Sequence, residues 1–366
     1  MEKVVVGMSG GVDSSVAAYL LKKQGCEVVG VTMQIWSPEG GSPEREGGCC
    51  SASAITDAEN VARQLGIEHH VINCRDAFEN RIIDNFMSEY IAGRTPNPCV
   101  LCNRKVKWSS LLEAADRFGA GYVATGHYAR ISKLSNGRLA ISASATAEKD
   151  QTYALYNLTQ EQLKRTLMPV GDYHKEEIRR IADEAGLVTA HKPDSQDICF
   201  VDDGDYAGYI LKHSDYEDEP GNFVDLNGNI LGTHRGIIHY TVGQRKGLGI
   251  AFGEPRFVVT IRPQTREVVL GTAQEVFSDE LLADKINYMG VERFAPGHRA
   301  LAKIRYSHRG SMCTIYPEED ALRVVFDEPV RAITPGQAIV FYDGETVAAG
   351  GTIVGDKRFI KQMSNE

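Results

Sequence analysis

The chain has 366 residues, 42% of them hydrophobic and 24% charged, the proportions of a globular protein of two or three domains rather than a disordered or fibrous chain. Its 40 basic and 49 acidic side chains leave a formal net charge of −9, which as an average argues against a polyanionic partner. No run reaches the roughly 18 apolar residues of a membrane span. The opening MEKVVVGMSGG is too short an apolar stretch for a secretory signal, so the expected compartment is the cytoplasm.

The excess of acid is local. Asp202, Asp203, Asp205, Asp215, Glu217, Asp218 and Glu219 stand against Lys212 alone in 202–219, and the remainder is nearly balanced. Arg94, Arg104, Lys105 and Lys107 fall in 94–107 with no acid, and Arg235, Arg245 and Lys246 in 231–250 with none. Each patch is either solvated surface or a phosphate contact. Eight cysteines are too sparse for a disulfide scaffold in a chain this long, so a conspicuous cysteine is read for chemistry.

In chain order, KVVVG (3–7), EVVGVTM (27–33) and EHHVIN (68–73) read as buried strands. After the first, Val16, Ala17, Leu20 and Leu21 form a stripe at helical spacing, which Asp13 or Ser14 can cap and Gly25 ends. AITDAENVARQLG and DAFENRIIDNFMSEYIAG repeat the helical pattern, and GYVATG (121–126) supplies a further strand. The alternation predicts an α/β, doubly wound parallel sheet with helices on both faces over 1–205. A mixed connecting domain is expected over 206–275. The Gly-rich, β-branched segments of 276–366, among them RALAKIRY, SMCTIYP and LRVVFDEP, predict a C-terminal β-barrel or a small sandwich.

The strongest local signal is GMSGGVDSS (7–15), where strand gives way to helix. It lacks the spacing and the lysine of a Walker loop. Gly10 and Gly11 permit a tight turn, Ser9 and Ser14 offer hydroxyls, and the helix that follows points its positive end at the same place. The string resembles the pyrophosphate loop of the ATP α-hydrolase superfamily, with Asp13 then a magnesium or pyrophosphate contact. TPNPCVLCN places Cys99 and Cys102 in a Pro-constrained loop before the helix RKVKWSSLLEAADRFG, where basic neighbours and a helix N-terminus favour thiolate. SQDICF places Cys199 in the last segment of the domain. A structural disulfide, a zinc half-site and inert burial are the other readings of these thiols. Cys49 and Cys50 lie in a Gly-rich segment, 37–50, that reads as a lid, and Cys26, Cys74 and Cys313 are assigned to packing. Between glycines, Arg245 and Lys246 of HYTVGQRKGLG form a loop suited to phosphate.

Taken together, SGGVDS, TPNPCVLCN, GHYAR, KDQTYAL, SQDICF and HYTVGQRKGLG, in this order over the whole chain, resemble the bacterial tRNA-specific 2-thiouridylases. The resemblance implies thiolation of the wobble uridine of certain tRNAs with ATP, magnesium and a protein-borne persulfide, charged by a cysteine desulfurase or sulfur-relay protein. By motif match, Gly7, Met8, Ser9, Gly10, Gly11, Val12, Asp13 and Ser14 hold the ATP phosphates, and Met33 and Gly126 contact the nucleotide. Asn97, Pro98 and Cys99 face the target base, Cys102 is the nucleophile, and Cys199 carries the persulfide. His127, Lys149, Asp150, Gln151, Arg305, Tyr306 and Gln337 contact tRNA. Many members carry Asp where this chain has Cys99, so a third thiol joins Cys102 and Cys199, and an iron-sulfur cluster held by the three is an alternative sulfur carrier. An ammonia-using synthetase with the same loop is the second enzyme reading, and a non-catalytic RNA-binding module the third.

Overall fold

The computed structural model describes residues 1–35, 52–193, 198–201, 204–250 and 253–363. Cys49 and Cys50 with the whole of their segment 37–50, Ser195 to Asp197 of SQDICF, and Asp202 and Asp203 lie outside the described residues. The chain divides into two compact units, one of Met1–Ile82, Cys99–Cys199 and Glu345–Val347, the other of Ile83–Pro98, Phe200–Gly344 and Ala348–Glu366.

In the first unit β1 (Lys3–Gly7), α1 (Val12–Lys23), β2 (Glu27–Gln34), α2 (Ala52–Leu65) and β3 (Glu68–Asn73) follow one another. A short α3 (Arg75–Phe78) and a π-turn lead out of the unit towards α4 (Asp84–Ile91). The chain re-enters along α5 (Pro98–Cys102), which a π-turn (Asn103–Lys107) joins to α6 (Trp108–Phe118). Then come β4 (Tyr122–Ala124), the antiparallel hairpin β5 (Arg130–Lys133) and β6 (Leu139–Ser142), α7 (Thr152–Leu155), α8 (Gln160–Lys164), β7 (Thr166–Leu167) and α9 (Lys175–Glu184). Five strands make one parallel sheet in the order β3-β2-β1-β4-β7. Val4, Val5 and Val6 are wholly buried, as a strand covered on both faces requires, which is why it reads as an unbroken apolar run. The Val16, Ala17, Leu20 and Leu21 stripe packs into the same core with Ile178 and Ala182 of α9.

Two local expectations are corrected. Neither Asp13 nor Ser14 caps α1: Gly11 is the N-cap, with no side-chain cap. Cys99 and Cys102 do not precede their helix but lie in its first turns, because Pro98 starts α5 at the one helical position where a missing N–H costs nothing.

The second unit holds α4, α10 (Tyr206–His213), a four-stranded sheet and a barrel. Phe86 of α4 packs edge-on against Phe200, with ring centroids 5.0 Å apart. The sheet runs β10 (Phe257–Arg262), β11 (Glu267–Gly271), β8 (Gly221–Val224), β9 (Ile230–His234). The barrel order is β12 (Phe277–Tyr288), β15 (Ala321–Arg331), β14 (Ser311–Glu318), β13 (His298–Lys303), β16 (Ala338–Asp343), β17 (Thr346–Asp356), and β12 pairs again with β17 to close it. Closure removes the free edges that a sandwich would leave. Strand alternation fills its interior with Cys313, Ile315, Leu322, Val324 and Phe326. Burial pushes the Cys313 thiol up to about 12, which leaves it an inert packing group. Cys74 is likewise buried, and Cys26 packs against the core of the first unit.

Candidate active site

At the C-terminal end of β1 the chain leaves the sheet where open parallel sheets bind ligands. The amide of Met8 donates to Val31 O at 2.8 Å, and Gly10 turns the backbone at φ +66°. The Ser9 amide then donates to Ser14 Oγ at 3.1 Å, while Ser14 Oγ donates to Gly11 O at 3.1 Å and Ser15 Oγ to the same carbonyl at 2.8 Å. These bonds curl the loop around the start of α1. Because no side chain caps that helix, its first-turn N–H groups are available to an anion. Of the eight residues expected to hold phosphate, Met8 and Val12 put their side chains into the core, which leaves only their backbone to face the loop. Met33 is half-buried near the end of β2, beside β1 in the sheet.

Neighbouring segments press on this loop so closely that two glycines are obligatory. A Cβ on Gly10 would lie 2.3 Å from Ala54 O of α2, and one on Gly126 would lie 2.5 Å from Ser14 N and 2.6 Å from Asp13 C. Below the loop, Thr32 Oγ1 donates to Met8 O at 2.8 Å. With its proton so placed, that oxygen accepts from His69 Nε2–H at 2.8 Å. Burial pushes the His69 imidazole below its usual range, keeping it neutral there.

Asp13 is already engaged. Lys175 Nζ lies 2.7 and 2.9 Å from its two carboxylate oxygens, and Tyr128 donates its hydroxyl to Oδ1 at 2.7 Å. The carboxylate therefore positions a cation and a tyrosine beside the phosphate loop, and as a direct magnesium ligand it would have to give up an ammonium partner. Sequence reading missed Lys175. Nothing in GDYHKEEIRR distinguishes it from a surface lysine, and only the packing of α9 against α1 brings it to Asp13.

Tyr128 links this corner to two other motifs. Gln151 accepts from the Tyr128 amide at 2.8 Å through its side chain and donates its own amide to Tyr128 O at 3.0 Å. Asp150 accepts from the Ser144 and Thr152 amides, each at 3.1 Å, and from the Thr152 hydroxyl. His127 bonds Thr125 Oγ1 through Nδ1 at 2.8 Å, its ring centroid 5.5 Å from that of Trp108. GHYAR and KDQTYAL thus form one cluster with the phosphate loop. Lys149 ends a 3₁₀ turn, Ala147–Lys149, at the edge of the cluster.

Cys99 is exposed, and Cys102 and Cys199 are half-buried. Just after Cys102, Asn103 is buried and donates to Ala154 O at 2.9 Å. Arg104 reaches Asn157 Oδ1 at 2.8 Å. All three thiols belong to the unit that contains the phosphate loop. Among the described residues no three His, Cys, Asp or Glu side chains are grouped to hold a metal ion. In the other unit, Arg305 donates to Arg331 O at 2.8 Å and Tyr306 is 52% exposed, unusual for a large ring. Gln337 Nε2 donates to Thr95 O at 3.0 Å and Pro96 O at 3.3 Å.

Three family models match in succession: a tRNA methyl transferase HUP domain over residues 2–203, a tRNA methyl transferase PRC-barrel domain over 209–272 and an aminomethyltransferase beta-barrel domain over 278–353. The chain is 60% identical over 356 residues to the tRNA-specific 2-thiouridylase MnmA of Lachnoclostridium phytofermentans, covering 97% of this chain and all of that one. It is 56% identical to the protein of the same name from Acetivibrio thermocellus and 53% identical to that of Clostridioides difficile, with 96% of this chain and 99% and 98% of theirs covered. With half to three-fifths of its residues shared over nearly its full length, the chain belongs to the tRNA-specific 2-thiouridylase family.

Proposed function

We propose that the chain catalyses ATP-dependent 2-thiolation of the wobble uridine of tRNA, giving 2-thiouridine, AMP and pyrophosphate. The observation that carries this reading is the uncapped start of α1, curled by Gly10, Gly11 and the Ser9–Ser14 bonds into an anion cradle, in a chain with this family membership. Gly7 to Ser14 enclose the ATP phosphates, with Lys175 adding positive charge and Met33 and Gly126 bordering the rest of the nucleotide. Magnesium, when bound, offsets phosphate charge, and the nucleotide's own oxygens suit it better than the engaged Asp13.

The chemistry needs few groups. The C2 carbonyl of uracil has no leaving group, so transfer of adenylate to its oxygen turns that oxygen into one that departs as AMP. Terminal sulfur of a Cys199 persulfide attacks C2, forming the C–S bond as AMP leaves. Attack of Cys102 Sγ on Cys199 Sγ then breaks the S–S bond, leaves the thione on the base and forms a disulfide that a thiol reductant reopens. In the other order Cys102 attacks first and releases the sulfur as hydrosulfide. A cysteine desulfurase or sulfur-relay protein in the cytoplasm recharges Cys199. Asn97, Pro98 and Cys99 meet the uridine, which must leave its stack at a cost of about a few kcal/mol, least for a loop nucleotide. Arg305, Tyr306, Lys149, His127 and Gln337 approach the RNA. Asp150 and Gln151, whose side chains are engaged in internal bonds, serve by shaping the turn that presents Lys149.

Incubation with unmodified tRNA, ATP, cysteine and a cysteine desulfurase, whose own persulfide passes sulfur to Cys199 at the right oxidation level, followed by mass analysis of the nucleosides, tests the reading. A sulfur-for-oxygen exchange at the wobble uridine, with pyrophosphate release that depends on tRNA, is expected. A methylated nucleoside, or pyrophosphate release driven by ammonia without tRNA, overturns it.

A further inference from the structure

The segment that precedes α5 is bent by Gly93 (φ +69°) and runs Arg94-Thr95-Pro96-Asn97. Its first part is anchored at its own base. The Arg94 guanidinium donates to both oxygens of Glu89 at 2.6 and 2.7 Å, and the Arg94 amide to Glu89 O at 2.8 Å. Thr95 and Pro96 are held from far along the chain. The Thr95 amide donates to Pro335 O at 2.8 Å, and Gln337 Nε2 donates to Thr95 O and Pro96 O at 3.0 and 3.3 Å. The holding loop is itself fixed to the barrel wall: Gly336 N donates to Ile353 O and Ile353 N to Gln337 O, both at 2.8 Å. Gly336 stands at φ +87°, and a Cβ there would lie 3.0 Å from Thr95 O and 3.1 Å from Arg94 Cβ.

From this geometry we infer that Gln337 is a positioning residue for thiolation. With Pro335 and Gly336, it latches Thr95 and Pro96 to the barrel and so fixes where Asn97, Pro98 and Cys99 start. Both contacts of its amide nitrogen are to protein carbonyls, which leaves only Oε1 for RNA. A segment of this length cannot fix its own position against the entropy of its backbone. Without the latch it samples several positions, and displacement of a base-facing group by about 1 Å costs a reaction up to about 100-fold. The inference rests on the reading of Asn97 to Cys99 as base-facing.

The test uses the full chain with two variants, Gln337→Met, which removes the amide at nearly constant shape, and Gly336→Ala, which crowds Thr95 and leaves the Gln337 head group intact. Both are expected to lower kcat for 2-thiouridine formation about 10- to 100-fold while the Kd for tRNA stays within about twofold, and to speed hydrogen exchange of the Thr95 amide. If Gln337 instead acts by touching RNA, Gln337→Met raises the Kd for tRNA, leaves Thr95 exchange unchanged, and Gly336→Ala is silent; that pattern overturns the latch. Thermal unfolding distinguishes a misfolded variant from a displaced loop, and a misfolded Gly336→Ala leaves Gln337→Met to decide. Should the unaltered chain form no 2-thiouridine, the functional reading fails, and exchange at Thr95 still decides whether the latch exists.

Discussion

Two short bent segments, Gly7 to Ser14 and Thr95 to Cys99, sit at the starts of helices, yet they are held in different ways. The first is built largely from its own atoms. Its serines bond one another and its glycines make the turn, so the loop's shape is carried by its own string of residues. Thr95 and Pro96 have their carbonyls taken by Gln337 and the Thr95 amide by Pro335, residues about 240 positions further along the chain. A nucleotide loop needs a fixed array of N–H groups, which a helix start supplies by itself. A base-facing segment needs placement, which a short stretch of chain cannot give itself.

The contrast can be broken most completely at the thiols. Cys199→Ala and Cys102→Ala are expected to abolish 2-thiouridine formation, read by nucleoside mass analysis, while tRNA binding stays within about twofold of the parent, since neither side chain is needed to hold phosphate. Retained thiolation in the Cys199 variant would remove the persulfide from that position. Next in size is Gly126→Ala, whose new methyl would meet Ser14 N at 2.5 Å. Overpacking of this kind costs about 1–3 kcal/mol. We expect the affinity for ATP, measured by calorimetry, to fall about tenfold or more, with little change in the affinity for tRNA.

Lys175→Met sharpens the comparison, because it removes a charged contributor to the phosphate site that is remote in sequence. Loss of a charge-assisted contact worth about 1.5–3 kcal/mol should raise the KM for ATP about 10- to 100-fold, with Lys175→Arg less affected. An unchanged KM would leave Lys175 as a partner of Asp13 only. Thr32→Val deletes the hydroxyl between His69 and Met8 O and should lower stability by about 1 kcal/mol, seen in urea unfolding. The smallest effect concerns pH. Burial holds His69 below its usual range, so below about 6.5 the unfolded chain takes up a proton that the folded chain resists. Stability therefore rises with pH through that region and falls as the pH drops below it. His69→Gln should flatten the slope of stability against pH there, and an unaltered slope would show that His69 charges as easily in the folded chain.

Much of the first unit was legible because each of its signals is contiguous. KVVVG is buried on both faces and therefore unbrokenly apolar, the stripe of α1 recurs at helical spacing, and SGGVDS carries its own turn. The barrel was legible only as a series of strands, and closure through β12 and β17 is a pairing of the ends of the series that no single strand announces. Pro98 was read as a loop constraint where it starts a helix, since the same fixed φ suits both. Lys175 carried no signal at all. It acquires its place from the packing of α9 on α1, as Asp150 and Gln151 acquire theirs from bonds to Ser144 and Tyr128.

What the sequence determined by itself is the set of reactive parts: a glycine turn able to receive phosphate, thiols in two motifs, and alternating patterns that commit each stretch to helix or strand. These follow from backbone freedom and side-chain periodicity, which act over a few residues. Tertiary structure alone decided which cation stands at Asp13, which carbonyls Gln337 holds, and how the last six strands close. Each of these depends on groups separated by tens to hundreds of residues meeting within hydrogen-bond distance, and short-range pattern carries no record of that meeting.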